Sequence, residues 1–387
     1  VILHALLIWL AYACLTIGAT YSLLSLVAVL VWRTQTVRLA PSSAQRPPVT
    51  ILKPLCGDEP HLYAHLRSFC TQEYPQYQIV FGVHDATDPA LAVVSRLIDE
   101  FPSASIDVVV NSRQHGDNLK NSNLMNMLEV ARHDVLIVAD SDAQVGADYL
   151  GIVTAPLLKS DVGLVTCIYR SVPTSSVWSR LGAMYINEWF MPSVLVAWLF
   201  GHQSYASGQT LCLRRETLSA IGGLRNITSH LADDYRLGEL VRGVGLKIEL
   251  SRYEIDAGHH EPTLRALMRH QLRWMRTLRV LRPASFCFIF LTFSLPLTLV
   301  GLLLLAIIAG IGPMAWQLAG STVFAQLLLH LAYRVRGDRG MLADLALVPA
   351  RDLLLCLVWW QSFFTSHVTW RGSEFNVDAQ GIMRRAA

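Results

Sequence analysis

Four short clusters hold the residues whose type and spacing could do chemistry: Asp85 and Asp88 in VHDATDP, Asp140 and Asp142 in ADSDA, Asp233 and Asp234 in LADDYRLG, and His270 to Trp274 in HQLRW. Asp140 and Asp142 directly follow the apolar run VLIVA, which puts them at a strand's carboxyl end. Open α/β sheets place their ligands there, and hard carboxylate oxygens at that edge can hold Mg²⁺ or Mn²⁺ against the phosphates of a donor. Asp140 and Asp142 are therefore the expected metal ligands. Asp85 and Asp88 follow another strand, and hydrogen bonding to the base or ribose of a nucleotide is expected of them, against plain turn chemistry before Pro89.

Asp233 and Asp234 open a helical pattern, where acids are favoured by the helix dipole. Capping needs only one acid, which leaves the other as a candidate base for an accepting hydroxyl. Lys120 in DNLKNSNLMN starts a helix beside the sheet, where a lysine either meets phosphate or is simply solvated. In LRALMRHQLRWMRTLRVLRP, Arg265, Arg269, Arg273 and Arg276 recur at helical spacing, the pattern of a basic amphipathic helix on anionic headgroups. Within it His270, Gln271, Arg273 and Trp274 are expected to close over a pyrophosphate, with the guanidinium as counter-charge and the indole under the acceptor. His259 and His260 offer a third metal ligand, although loop histidines seldom act so.

These clusters need a scaffold, and the segment 49–258 supplies an alternating one. VTILKPL, QIVFGVHD, IDVVVN, DVLIVAD and VGLVTCIY are short runs rich in Val and Ile, and the stretches 61–70, 90–101 and 121–132 between them have helical spacing. That series predicts an α/β domain with a mainly parallel sheet and helices on both faces. The Pro/Ser-rich APSSAQRPP marks a linker within 34–48.

The 387-residue chain is 52% hydrophobic and only 16% charged, with a mean hydropathy of +0.37, too apolar for an ordinary soluble globule. Within 1–33 there is no Asp, Glu, Lys or Arg from Ile2 to Trp32, His4 being the only strongly polar ring, and roughly 20 such residues suffice to cross a bilayer. A cleaved signal peptide fits less well, since the stretch is too long and no small-residue cleavage site follows. Residues 285–370 form a second apolar region. Two helices, about 285–309 and 314–333, are expected around Gly310, Gly312 and Pro313, with Pro296 kinking the first. From 341 to 370 a third span competes with a re-entrant hairpin, because Arg351 and Asp352 interrupt the approach and Arg371, Arg384 and Arg385 favour an inside tail, 371–387. Arg33, Arg38, Arg334, Arg336 and Arg339 place the catalytic segment in the cytosol by the positive-inside rule. The apolar stretch 179–200, interrupted by Asn187, Glu188 and Pro192, is expected to lie at the membrane surface beside an acceptor channel, with core packing as the alternative. Seven cysteines without paired spacing indicate neither a disulfide framework nor a zinc site, and a net charge of +3 does not suggest nucleic acid.

The four clusters resemble the D, DxD, ED and (Q/R)xxRW elements of membrane glycosyltransferases of the GT-A fold. More closely, ILKPLCGDEP, VHDATDPAL, NLKNSNLMN, ADSDA, SGQTLCLRRETLSAIGGL, LADDYRLGELV, HQLRW and TWRG fall in the order of the ceramide glucosyltransferase family (family 21), most similarly to its bacterial hopanoid-associated branch. The resemblance implies an inverting, metal-dependent transfer of glucose or N-acetylglucosamine from a UDP-sugar to a hydroxyl of a membrane lipid, ceramide or hopanoid polyol. It matches Asp88, Asp140 and Asp234 to the family's three aspartates, with Asp85, Asp88 and Asp140 binding the UDP-sugar, Asp234 as the base and Asp233 beside it at the substrate, and it matches Arg273 and Trp274 to the last motif. His270 departs from the usual Gln or Arg. A processive polysaccharide synthase shares the clusters but needs a transmembrane channel, and a catalytically dead nucleotide-binding scaffold has no need of the full acid set. No oligomeric state is implied.

Overall fold

The structure, a computed structural model, describes residues 1–35, 46–174, 176–202, 206–334, 344–364, 367–370, 373–378 and 380–385. Most of the expected linker, with Arg38, and the charges of Arg336, Arg339 and Arg371 lie outside these residues. The chain divides into two compact units. One comprises Val1–Thr36, Pro173–His202 and Glu261–Val368, the other Val37–Val172, Gln203–His260 and Thr369–Ala387.

The second unit is built on a sheet of eight strands: β1 (Val49–Pro54), β2 (Tyr77–Val83), β3 (Ile106–Val110), β4 (Val135–Val138), β5 (Ala143–Gln144), β6 (Val162–Pro173), β7 (Leu211–Arg214) and β8 (Lys247–His259), in the order β3-β2-β1-β4-β7-β6-β8-β5. β1 pairs in parallel with both β2 and β4, and β2 with β3. The five apolar runs of the sequence are β1 to β4 and β6. Every residue of β1 and β4 is buried, as expected of strands covered on both faces. The helices Leu62–Cys70, Ala90–Glu100 and Leu119–Leu128 fall where the spacing put them. One side of the core joins Leu52, Val80, Leu136 and Leu213 of the strands to Leu124 and Met127 of the last of these helices.

Because the chain runs outward from β1 through β2 to β3 and then returns to β1's other side as β4, the order reverses between β1 and β4. A crevice at the carboxyl ends of the strands beside such a reversal is where open α/β sheets bind ligands. Beyond β4 the sheet turns antiparallel: β7 pairs with β4 and β6, and β5 with β8. β7 and β8 were not legible as strands, one having only four residues and the other mixing polar with apolar ones. Three further strands, β9 (His367–Trp370), β10 (Ser373–Val377) and β11 (Met383–Arg385), form a small second sheet near the C-terminus.

In the first unit, helix Ile2–Thr34 has 33 residues and is the one helix among the described residues that is long and apolar enough to cross a bilayer. Helix Ser294–Ile308 crosses it closely. A Cβ on Gly18 would come 2.8 Å from the Ser294 carbonyl oxygen, and one on Gly301 would come 2.7 Å from that of Ala11, so only glycine admits this approach. The expected helix at 285–309 is instead three pieces, Pro283–Cys287, a 3₁₀ turn Ile289–Thr292, and Ser294–Ile308. Pro296 stands in the first turn of the last piece, where its missing N–H costs no helical bond, so it starts that helix rather than kinking it. Helix Pro313–Arg334 follows, and Val348–Gln361 is the helix of the late apolar stretch.

The stretch 179–200 is two helices, Val177–Tyr185 and Met191–Leu199, joined by one π turn, Ile186–Phe190. It packs on helix Ile2–Thr34 through an edge-to-face contact of Trp198 with Trp32 at 5.1 Å and a 2.6 Å hydrogen bond between Tyr21 and Ser193. These contacts join the stretch to the apolar N-terminal helix. Glu188 on the π turn is buried and accepts from Arg351 Nη1 at 2.7 Å, with His330 Nδ1 2.8 Å from its other oxygen. Arg351 also binds Asp352 at 2.6 Å and Gln326 at 3.3 Å. The two charges that looked like an interruption of an apolar run are thus members of a buried polar cluster.

Candidate active site

The acids of ADSDA sit directly beyond β4, and the loop before β7 and the start of helix Asp233–Gly243 bring their partners to them. Lys120 is the second residue of helix Leu119–Leu128, whose N-cap Asn118 accepts from the Asn121 N–H at 3.1 Å. From there its Nζ lies 2.6 Å from Asp140 Oδ1 and 3.9 Å from Asp233 Oδ2. Lys120 is therefore neither solvated nor free. It is the cation that binds the second acid pair to the third.

Gly208 lies over this group. Its N–H donates to Asp234 Oδ2 at 2.9 Å, and a Cβ at this position would stand 3.1 Å from Asp140 Oδ2, 3.4 Å from Lys120 Nζ and 3.5 Å from Asp234 Oδ2. The contact distances place Asp140, Lys120 and Asp234 round one point. Gln209 donates to Asp142 Oδ1 at 3.2 Å, and Asp234 Oδ1 accepts from the Tyr235 N–H at 2.7 Å. Beneath them Lys53, fully buried in β1, donates to the Asp140 carbonyl and lies 3.9 Å over the Phe69 ring, while Ser141 donates to Glu59 at 2.6 Å.

Electrostatics follow from this crowding. Burial, with Asp140 and Glu59 nearby, pushes the Asp142 carboxyl up to about 7. Burial and Asp233 push Asp234 up to about 6, opposed by Lys120. Burial pulls Lys53 down to about 7 despite Asp142 and Asp140. Burial also acts to lower Lys120, but Asp140 and Asp233 more than offset it and hold the ammonium above its ordinary range.

The donor set suits a hard divalent cation. Asp140 and Asp142 offer carboxylate oxygens with no soft ligand interposed, and Mg²⁺-type ions are commonly held by one or two carboxylates plus substrate phosphates. Carboxylates here outnumber ammonium groups, Asp140, Asp142, Asp233, Asp234 and Glu59 against Lys53 and Lys120, and Asp140 and Glu59 add to the effect of burial on Asp142. His259, expected in a loop, is instead the buried end of β8.

Asp85 and Asp88 occupy the loop after β2. Asp88 accepts from the Gly57 N–H at 3.0 and 3.1 Å and from the Ala90 N–H at 2.9 Å, so it ties the loop after β1 to the loop after β2. Asp85 Oδ1 accepts from the Thr87 N–H and hydroxyl, both at 2.8 Å, and these donors lower its pKa. Turn chemistry, the plainer expectation, describes the contacts of Asp85, whereas the Gly57 bonds of Asp88 reach beyond its own turn.

The remaining expected residues belong to the first unit, on helix Leu264–Leu281. His270 Nδ1 lies 2.5 Å from Glu261 Oε1, so the residue that departs from Gln or Arg has found a carboxylate of its own. Trp274 meets Tyr185 at 6.1 Å, Phe190 at 5.5 Å and His270 at 5.4 Å between ring centroids. Gln271 is buried and Arg273 half-buried. Of the arginines expected on headgroups, Arg265 and Arg269 are exposed, but Arg276 donates to the His367 carbonyl at 2.5 Å because it faces the end of the late apolar stretch.

Lys53, Glu59, Gly208 and Gln209 were not singled out from the sequence. Each lies in a segment that carries the family resemblance, ILKPLCGDEP or SGQTLCLRRETLSAIGGL, which was the available signal.

The sequence model described as Glycosyl transferase family 21 matches residues 10–383. Ceramide glucosyltransferase 1 of Caenorhabditis elegans is 23% identical over 355 residues, covering 87% of this chain and 73% of the relative. Ceramide glucosyltransferase 3 of the same organism is 24% identical over 234 residues, covering 59% of this chain and 50% of the relative. Among solved structures, the mannosyltransferase PcManGT from Pyrobaculum calidifontis, in complex with GDP-Man and Mn²⁺, superposes with a TM-score of 0.51 at 18% identity, covering 92% of this chain and 99% of that one, a similarity of fold.

Proposed function

This chain belongs to glycosyltransferase family 21, and we propose that it transfers N-acetylglucosamine or glucose from a UDP-sugar to a hydroxyl of a membrane lipid, a ceramide or hopanoid polyol, with inversion and with Mg²⁺ or Mn²⁺. The observation that carries the proposal is the convergence of Asp140, Lys120 and Asp234 round Gly208 at the carboxyl end of β4. The names of the worm relatives support the lipid acceptor and glucose, and the ions of the mannosyltransferase complex support the metal.

In this proposal Asp140 and Asp142 hold the ion, which when bound neutralises charge on the departing diphosphate. Asp85 and Asp88 border the donor's nucleoside, and Asp88 does so through the two loops it joins. Lys120 screens Asp140 from Asp233 and orients both. Asp234, fixed by the Gly208 and Tyr235 amides, takes the proton of the acceptor hydroxyl while that oxygen attacks the anomeric carbon from the face opposite the diphosphate. The bond to the diphosphate breaks as the new glycosidic bond forms, giving a β-glycoside from an α-linked donor without a covalent enzyme intermediate. On helix Leu264–Leu281, Arg273 and Trp274 match the family's last motif, with His270 and Gln271 beside them, and these four are the residues we assign to that motif's role in substrate binding. Helix Ile2–Thr34 anchors the chain in the cytoplasmic membrane with its catalytic unit in the cytosol.

Incubating membranes that contain the chain with radiolabelled UDP-sugars and a lipid extract tests the transfer. Label should enter the lipid phase only when a divalent cation is present. A chain that binds nucleotide yet labels no lipid is the dead scaffold instead.

A further inference from the structure

We propose that the C-terminal hairpin, residues 373–385, is a working part of the active site, strapping the segment that delivers Asp233 and Asp234. The proposal rests on the reading of Asp234 as the base. β10 and β11 pair antiparallel, Val377 opposite Met383, and Asp378 closes the turn by accepting from the Gln380 and Ile382 N–H groups at 3.0 and 2.9 Å. Phe375, Val377 and Met383 are buried, so the hairpin is anchored and not a loose end.

The outer edge of β11 is not left unpaired. Met383 N–H donates to the Ser229 carbonyl at 2.7 Å, and Leu231 N–H donates to the Gly381 carbonyl at 3.0 Å, with His230 and Ile382 bridged between them. Ser229 to Leu231 therefore serves as one more strand of the tail's sheet. On its other side this segment meets the loop that leads to Lys120. Asn118 N–H donates to the Thr228 carbonyl at 2.8 Å, its side-chain amide donates to the His230 carbonyl at 3.0 Å, and a Cβ on Gly116 would stand 2.5 Å from the Thr228 oxygen.

The segment is thus held between the tail and the cap of the Lys120 helix. Two residues later it becomes helix Asp233–Gly243, whose N-cap Ala232 offers no side chain to fix the first turn. The backbone bonds on either side of Ser229–Leu231 are what set the entry of Asp233 and Asp234 towards Lys120. A tail of this kind acts first on the position of the base, and reaches Asp140 only through Lys120.

The test uses the 387-residue chain with Met383→Pro, which removes the N–H that holds Ser229, beside Met383→Leu, which keeps it, and a chain ending at Gly372. Met383→Pro and the shortened chain should each lose about tenfold or more in kcat with donor KM changed by less than about twofold, the pattern of a displaced catalytic group. A synthetic peptide of residues 373–387 should restore turnover to the shortened chain, Met383→Leu should behave as the parent, and hydrogen exchange at the Leu231 amide should speed up in Met383→Pro. Unchanged kcat, or a loss matched by a rise in donor KM and not rescued by peptide, would overturn the proposal. If the parent chain turns over no UDP-sugar, the transfer reading fails, while unaltered exchange at Leu231 would sink the strap independently.

Discussion

Asp234 illustrates how much a single residue's surroundings decide. An aspartate at a helix start is ordinarily a strong acid's conjugate base, too weak to take a proton from a hydroxyl with any efficiency. Here burial and Asp233 raise its pKa to about 6, close enough to neutrality for a useful base, while Lys120 keeps it ionised at pH 7. The sign is fixed: the residue works deprotonated, so kcat should be flat above neutrality and fall as pH drops through about 6. A kcat profile measured at saturating donor checks this, and an inflection near the ordinary carboxylate value of about 4 would contradict it. Asp140 and Asp142 were legible in the sequence because a fully apolar strand precedes them. Lys53 was not, since it lies within an apolar strand and its partner, the Asp140 carbonyl, is 87 positions away. Gly208 was legible only as part of a family segment, its value being the space it leaves beside Asp140.

At the scale of elements, periodicity revealed what was strongly periodic. β1 to β4, β6 and their helices follow from Val/Ile runs and helical spacing, whereas β7 and β8 owe their strand form to pairing with β4, β6 and β5. The apolar stretch 179–200 is the instructive case. Glu188 was an argument against a membrane crossing, but its partners His330 and Arg351 lie 142 and 163 positions away and no local pattern announces them. One carboxylate ties the π turn Ile186–Phe190 to helices Pro313–Arg334 and Val348–Gln361. Glu188→Gln leaves Arg351 short of charge in a buried place, and removing one member of such a group typically costs about 3–5 kcal/mol. Thermal unfolding in detergent should show a fall for Glu188→Gln and a partial recovery when Arg351→Met and Asp352→Leu are added together, because Arg351→Met alone would leave the buried Asp352 without its partner. Equal unfolding of Glu188→Gln and the parent would show the cluster to be without structural weight.

For the whole molecule, the strap carries a prediction about which side of the membrane the hairpin at 373–385 occupies. The positive-inside expectation puts the catalytic segment in the cytosol, and the strap requires residues 373–385 to lie on that same side. A cysteine at Gln380, probed with an impermeant maleimide in sealed vesicles, should label from the same side as the exposed native Cys56 of the catalytic unit. Labelling from the opposite side would contradict the topology and the strap together.

The central claim is that one acid cluster transfers a sugar from a UDP-sugar to a lipid hydroxyl with Asp234 as base. Its most direct measurement is mass spectrometry of lipid products from the parent and Asp234→Asn chains, across UDP-glucose and UDP-N-acetylglucosamine and across ceramide, hopanoid polyol and diacylglycerol, with UDP binding followed in parallel. The parent should form a β-linked glycolipid from one donor and acceptor pair, and Asp234→Asn should form none while binding UDP as the parent does. The same product at undiminished rate from Asp234→Asn, or none from the parent with any pair, would contradict it.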